Sequence, residues 1–342
     1  MRNPVPFSVL DFSLIRAGET AAHALNQSVE MARAAEALGF ARYWVAEHHG
    51  AQTVASAATA VVIGHIAGRT STIRVGSGGV MLPNHTPLVI AEQFGTLESL
   101  YPGRIDLGVG RAAGSVHDDV AKVLRSTPEA RERFPDDLRE LQSLFREPEP
   151  GKPVCAVPGA GLDVPIWVLA SSPFSAQQGA QLGLPLAFAT HIGADARDTA
   201  IAAYRANFQP SAVLDRPYVM IAGVVTAADT EADAQFLFSS LQQLSLGRLR
   251  GTPMMRLAPP VSHFDTLTSD DERARLAVAV RAAITGSPQQ VEQKLATLID
   301  ETDADEVMVL SFIHDLDARR RSLEIIGKVR DSLNARRAAI AQ

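Results

Sequence analysis

Short apolar runs of strand type alternate with longer helical stretches along almost the whole chain. The first run, FSVLDFS at residues 7–13, precedes an Ala-rich helical stretch over about residues 19–38. Gly39 closes that stretch, the residue type a helix C-terminus favours. ARYWVAEHH (41–49) comes next, then a helix near residues 56–69 and the run IRVGSGGVML (73–82). Thr86 and Pro87 have the form of an N-cap and a first helical residue, opening a helix that ends near Leu100. The later runs are RIDLGVGR (104–111), PIWVLASS (165–172), PLAFATHI (185–192), YVMIAGVV (218–225) and DEVMVLSF (305–312).

Eight strand runs, most of them followed by a helical stretch, predict an α/β protein of the (β/α)₈ TIM-barrel type, one domain over residues 1–342. A doubly wound sheet would usually have fewer units. The runs are nearly continuous in apolar residues, as strands buried on both faces must be. Two spacings are too long for simple connections, about residues 112–163 after strand 4 and about 245–288 after strand 7. Insertions of that size in a barrel are commonly active-site lids. The second, LSLGRLRGTPMMRLAPPVSHFDTLTSDD, mixes Gly, Pro, Met and charge and is the lid candidate. Its plainer alternative is a disordered surface loop.

Composition narrows the class without naming the chemistry. Hydrophobic content of 46% and charged content of 20% belong to a soluble globular protein. A net charge of −6 with no long basic run leaves nucleic acid without an electrostatic footprint. The start, MRNPVPFSVLDFS, lacks a signal-peptide apolar segment, and no later stretch has the length and apolarity to span a bilayer. Cys155 is the sole cysteine, which excludes an intrachain disulfide framework and a Cys-rich zinc site. A cytoplasmic enzyme or binding protein is the expectation, with neither nucleic acid nor membrane as partner.

In a barrel, chemistry gathers at the C-terminal ends of the strands. Here those ends carry Glu47, His48 and His49; Ser77, Gly78 and Gly79; Gly110 and Arg111; Ser171 and Ser172; and Thr190 and His191. Arg111 is a fixed cation, and the two serines precede a helix N-terminus, a combination suited to a phosphate. Gly78 and Gly79 let backbone approach a flat ligand. His48 is the neighbour able to exchange protons near neutral pH. Successive strand residues point to opposite faces, so His48 and His49 are not expected to share a metal ion, and no metal site is expected. Gly-x-Gly in LGVGRAAG lacks the downstream helix and acidic residue of a dinucleotide fingerprint. His49 reads equally as structural or catalytic, Glu47 as an orienting group, and His191 as site lining or packing.

YWVAEHH, RTSTIRVGSGGVMLPNHTPLVIAEQF and YPGRIDLGVGR together resemble the luciferase-like flavin monooxygenases, relatives of the bacterial luciferase subunits. The likeness is dense over about residues 7–114 and continues through WVLASSPFSAQQGAQLGLPLAFATHI and TGSPQQVEQKL. It implies a (β/α)₈ barrel that uses FMN, as FMNH₂ delivered by a separate reductase. One oxygen atom of O₂ would enter a small organic substrate by way of a flavin C4a-hydroperoxide. By position, His48 matches the family's catalytic histidine, and Gly78–Gly79 matches the site of a non-proline cis peptide beneath the flavin. Arg111 matches the phosphate arginine, and Ser171, Ser172 and Ser175 fall in the phosphate-binding turn. Ser77 and His191 complete the expected flavin-site set. Gly110 stands where luciferase has a cysteine and Thr190 where it has a tryptophan, so light emission on a long-chain aldehyde is not expected. Members of the general monooxygenase branch often work as homodimers. The competing readings are a deazaflavin (F420)-dependent hydride-transfer enzyme on the same fold and a non-catalytic flavin-binding protein, which would lack a proton carrier such as His48.

Overall fold

The computed structural model describes residues 4–112, 118–124, 127–148, 151, 154–252 and 256–340. The chain begins with β1 (Phe7–Asp11), α1 (Ala21–Ala37), β2 (Arg42–Val45), α2 (Thr59–Ala67), β3 (Arg74–Met81) and α3 (Pro87–Leu100). β4 (Ile105–Gly110) leads into α4 (Asp118–Val123), α5 (Pro128–Glu132) and α6 (Phe134–Leu144). Then come β5 (Ile166–Ala170), α7 (Pro173–Gln181), β6 (Leu186–Ala189), α8 (Thr190–Gly193) and α9 (Arg197–Asn207). The last part holds β7 (Val219–Ala227), α10 (Glu231–Leu249), α11 (Asp270–Ala279), β8 (Ile284–Gly286), α12 (Pro288–Thr302), β9 (Glu306–Leu310) and α13 (Leu316–Ile340).

β1 to β7 pair in sequence order, all parallel, and β9 closes the ring by pairing with both β7 and β1. This is the (β/α)₈ barrel, and its ring strands are the eight apolar runs of the sequence. β8 is an addition the sequence did not announce. It pairs with the far end of β7, Val225 opposite Ile284, and stands outside the ring. Ring strands are apolar on both faces because both are covered. Val75, Ile105, Val109 and Val307 pack outward with the helices, while Leu10, Trp44, Trp167, Met220 and Met308 fill the interior.

The N-terminal end of the barrel is plugged by charge. Arg42 Nη1 donates to Asp106 at 2.8 Å and Arg42 Nε to Glu306 at 3.0 Å. Trp44 Nε1 and Tyr218 Oη donate to the same two carboxylates, and Arg42 stacks over Trp167. Buried carboxylates are tolerable only when so fully bonded. The opposite, C-terminal end is therefore the one left open to a ligand.

α1 is tied to the entry of β3 by one carboxylate. Glu36 Oε1 accepts from the backbone N–H of Ser71, Thr72 and Ile73 at 2.8, 2.5 and 3.0 Å. Burial opposes its ionised form, but these bonds prevail and hold its pKa at about 2. A depressed carboxylate stabilises fully above its unfolded value near 4.5 and loses that contribution as pH falls toward 2. Water reaches this site, so Glu36→Ala should cost only about 1–2 kcal/mol at pH 7. Urea melts at pH 7 and pH 3 check it: the gap between variant and wild type should narrow at the lower pH, and an unchanged gap would refute the assignment.

Both long spacings are structured in part. The first carries α4, α5 and α6. In the second, α10 runs on to Leu249, so the lid candidate begins as helix, and residues 253–255 of it lie outside the described residues. Further on, Leu257 is fully buried, donates its N–H to Ile15 and accepts from Ala17 N at 2.8 Å. The described part is a strap fastened to the β1–α1 connection, which answers the loose-loop alternative. Among the described residues, no helix is long and apolar enough to cross a membrane.

Candidate functional site

At the open end a cavity of about 480 Å³ is walled by the ends of the ring strands. β2 contributes Glu47 and His48 just beyond its last residue, β3 Gly78 and Met81, and β4 Gly110 with Arg111. β5 and α7 bring Ser171, Ser172 and Ser175, while His191 comes from α8. Leu10, Trp44, Leu169, Ala222 and Met308 supply an apolar floor. A larger hollow of about 850 Å³ lies at the other end, over the charged plug around Arg42 and Arg74. Among its described lining residues there is no histidine, whereas the smaller cavity holds two, so the smaller cavity is the candidate site.

One corner of the cavity is built for an anion. Arg111 lies over the Phe174 ring, 4.5 Å from its centroid, and among the described residues it pairs with no carboxylate. Ser172 is the N-cap of α7, yet its hydroxyl makes no capping bond and stays available. Ser175 lies in the first turn of that helix, where N–H groups have no partner within the helix. Gly193 lets α8 close against this corner, since a Cβ there would sit 2.2 Å from the Ser171 carbonyl oxygen. Arg131, from α5, reaches the same cavity. Sequence reasoning missed it because nothing in TPEARE marks that arginine apart from the surface arginines around it.

The other side carries imidazoles. His48 Nε2 is buried and has no hydrogen-bond partner among the described residues. Burial first, then the positive charge of Arg248 on α10 and of His49, push its pKa below the ordinary 6.5, so it is neutral at pH 7. His191 is pushed further, to about 4, again mainly by burial with Arg248 adding; the Ala222 carbonyl works the other way. The end of α10 thus acts electrically on both histidines. Glu47 is buried, and its Oε1 accepts from His49 Nε2 at 2.8 Å and His85 Nε2 at 2.9 Å. Burial raises the Glu47 carboxyl, but the two imidazole bonds outweigh it and hold it below the usual range. Atoms of these three residues able to bind a cation lie within 4.8 Å of one another, but they already satisfy each other. His49 pairs in space with His85, not with His48.

The remaining expected residues fall differently. The Gly78–Gly79 peptide is cis, and the β3–β4 register shifts between Ser77 and Val80. Neither glycine has room for a side chain: a Cβ would lie 2.5 Å from Leu10 at Gly78 and 2.7 Å from the Gly108 carbonyl at Gly79. Gly78 lines the cavity, whereas Ser77, Gly79 and Thr190 are not part of its wall. Ser77 Oγ donates to the Gly108 carbonyl at 2.8 Å and Thr190 Oγ1 to the Ala222 carbonyl at 2.6 Å, so both hydroxyls are spent on strand carbonyls.

A parallel barrel with an anion corner, a two-glycine cis peptide and an unbonded histidine at one mouth is the frame of an α/β-barrel oxidoreductase. The chain belongs to the luciferase-like monooxygenase family, whose model matches residues 5–306. It is 46% identical over 329 residues to a luciferase-like monooxygenase of Escherichia coli (strain K12), covering 96% of this chain and 98% of that protein. It is 35% identical over 237 residues to the N-acetyl-S-alkylcysteine monooxygenase of Bacillus subtilis (strain 168), covering 68% and 70%. Among solved structures, apo-MsnO8 superposes with a TM-score of 0.89 at 34% identity, covering 96% of this chain and 98% of that one.

Proposed function

We propose that this protein is the oxygenating component of a two-component, FMN-dependent monooxygenase acting on a small organic substrate. One observation carries the proposal: three serines, a helix N-terminus and an arginine that pairs with no carboxylate of the described residues share a cavity with a neutral histidine whose Nε2 has no described partner. Arg111, Ser171, Ser172 and Ser175 would hold the flavin phosphate, with Arg131 as a second cation. Gly78 and Gly110 would let the ring lie against backbone. The bound FMNH₂ would supply the chemistry of O₂, through a C4a-hydroperoxide. His48 would accept or return the proton at Nε2, and the apolar floor would keep water from the ring. Reduced flavin would come from a separate reductase, with neither nucleic acid nor membrane as a partner. Since the chain is related to an N-acetyl-S-alkylcysteine monooxygenase, thioethers of that kind are the first substrates to test.

The chain is proposed to act as a homodimer, as members of the general monooxygenase branch it resembles often do. Sedimentation velocity checks this, and a monomer at micromolar concentration would remove it. Anaerobic titration with FMNH₂ and with reduced F420 tests the cofactor. Preference for FMNH₂ is the expected result; preference for F420, with no consumption of O₂, would replace oxygenation by hydride transfer.

A further inference from the structure

Under the reading just proposed, the chemistry depends on where His48 points, yet no hydrogen bond from a described residue holds its Nε2. The backbone on either side of it is held, and that is where its aim can be set. Upstream, Ala46 is pinned: its N–H donates to the Asp11 carbonyl at 2.9 Å, and its own carbonyl accepts from Ser56 Oγ at 2.6 Å. From there the residues flanking His48 are bonded to each other, His49 Nε2 to Glu47 Oε1, making a bracket with His48 in its middle. That bond alone would leave the bracket free to swing as a unit about Ala46.

His85 removes the freedom. It lies between β3 and α3, and its Nε2 donates to the same Glu47 oxygen at 2.9 Å. The bond crosses from the β2 connection to the connection leaving the strand that carries Gly78 and Gly79. The Glu47 side chain is 2% exposed, so a missing donor there cannot be replaced freely by water. We infer that His85 is a positioning residue which, by bonding Glu47, locks the bracket of residues 47–49 and aims the His48 ring into the cavity.

The test begins without flavin. Histidines labelled with carbon-13 are titrated by NMR in the wild type, His85→Leu and His85→Gln, with the His48 signal assigned from its loss in His48→Asn. Arg248 and His49 face His48 and disfavour its protonation in all three proteins. Leu leaves the Glu47 charge less compensated and lets His48 relax out of its buried setting. Both changes should raise the His48 titration midpoint, by about half a pH unit or more. Gln keeps an N–H donor at similar reach and should restore the wild-type midpoint. His85→Asn, whose amide is too short to reach, should behave as Leu does and serves if Leu fails to fold. An unmoved His48 midpoint in a folded Leu or Asn variant would overturn the inference, as would a Gln variant no better than Leu.

A second arm adds FMNH₂ and O₂ and measures H₂O₂ released per flavin oxidised. His85→Leu should change this yield in the direction of His48→Asn and should add nothing in the His48→Asn background. An additive effect in the double variant would overturn action through His48. If His48→Asn itself has no effect, the proposed role of His48 fails, and the flavin-free titration alone decides the bracket.

Discussion

His48→Asn should lower oxygenation of any organic substrate the wild type accepts by about 10²–10⁴-fold, the usual worth of general acid–base catalysis. Folding and flavin affinity should hold, because among the described residues His48 Nε2 has no hydrogen-bond partner for its loss to strand. O₂ uptake should continue in part, diverted to H₂O₂, since addition of O₂ to reduced flavin belongs to the cofactor. Product and H₂O₂ measured in one assay separate these effects. In the wild type, the fraction of His48 free to take a proton grows as pH rises through its lowered pKa. The rate limited by that step should therefore level off at a pH below the ordinary histidine value of 6.5. A His48→Asn enzyme with wild-type yield and rate would return the histidine to a packing role.

The second large effect is expected at the anion corner. Arg111→Ala should weaken FMNH₂ by about 1.5–3 kcal/mol, the scale of a charge-assisted hydrogen bond, or about 10- to 150-fold. Arg111→Lys should recover part of this, since it keeps the charge and loses the fork that can bind two phosphate oxygens. Removing Arg111 leaves no carboxylate of the described residues unpaired, so the melting temperature should barely move while affinity falls. Equilibrium fluorescence titration under anaerobic conditions provides the number. Unchanged affinity in the Ala variant would put the phosphate elsewhere.

The barrel was legible because its ring strands are buried on both faces and so read as unbroken apolar runs. β8 was not, because ITG is three residues long and is held by the end of β7 rather than by a pattern of its own. α10 was cut short in the reading because Gly247 and the Gly- and Pro-rich stretch after it resemble the start of a loop, yet the helix continues to Leu249. His48, Arg111 and the serines were legible as polar residues ending apolar strands. Ser77 was taken into the site by nearness to Gly78, although alternation along a strand points neighbours to opposite faces. Arg131 and His85 could not be read, since each meets the site only through the fold. Arg131 arrives on a helix of an insertion, and His85 crosses from one strand connection to another.

The central claim is that this cavity holds reduced flavin and directs its reaction with oxygen. A pulse of O₂ mixed rapidly with the anaerobic FMNH₂ complex, followed by absorbance, tests it most directly. The account predicts a transient with the spectrum of a C4a-hydroperoxide that outlives the one formed in free solution and decays faster to H₂O₂ in His48→Asn. Direct conversion to oxidised FMN at the rate of free flavin, with no transient, would contradict it.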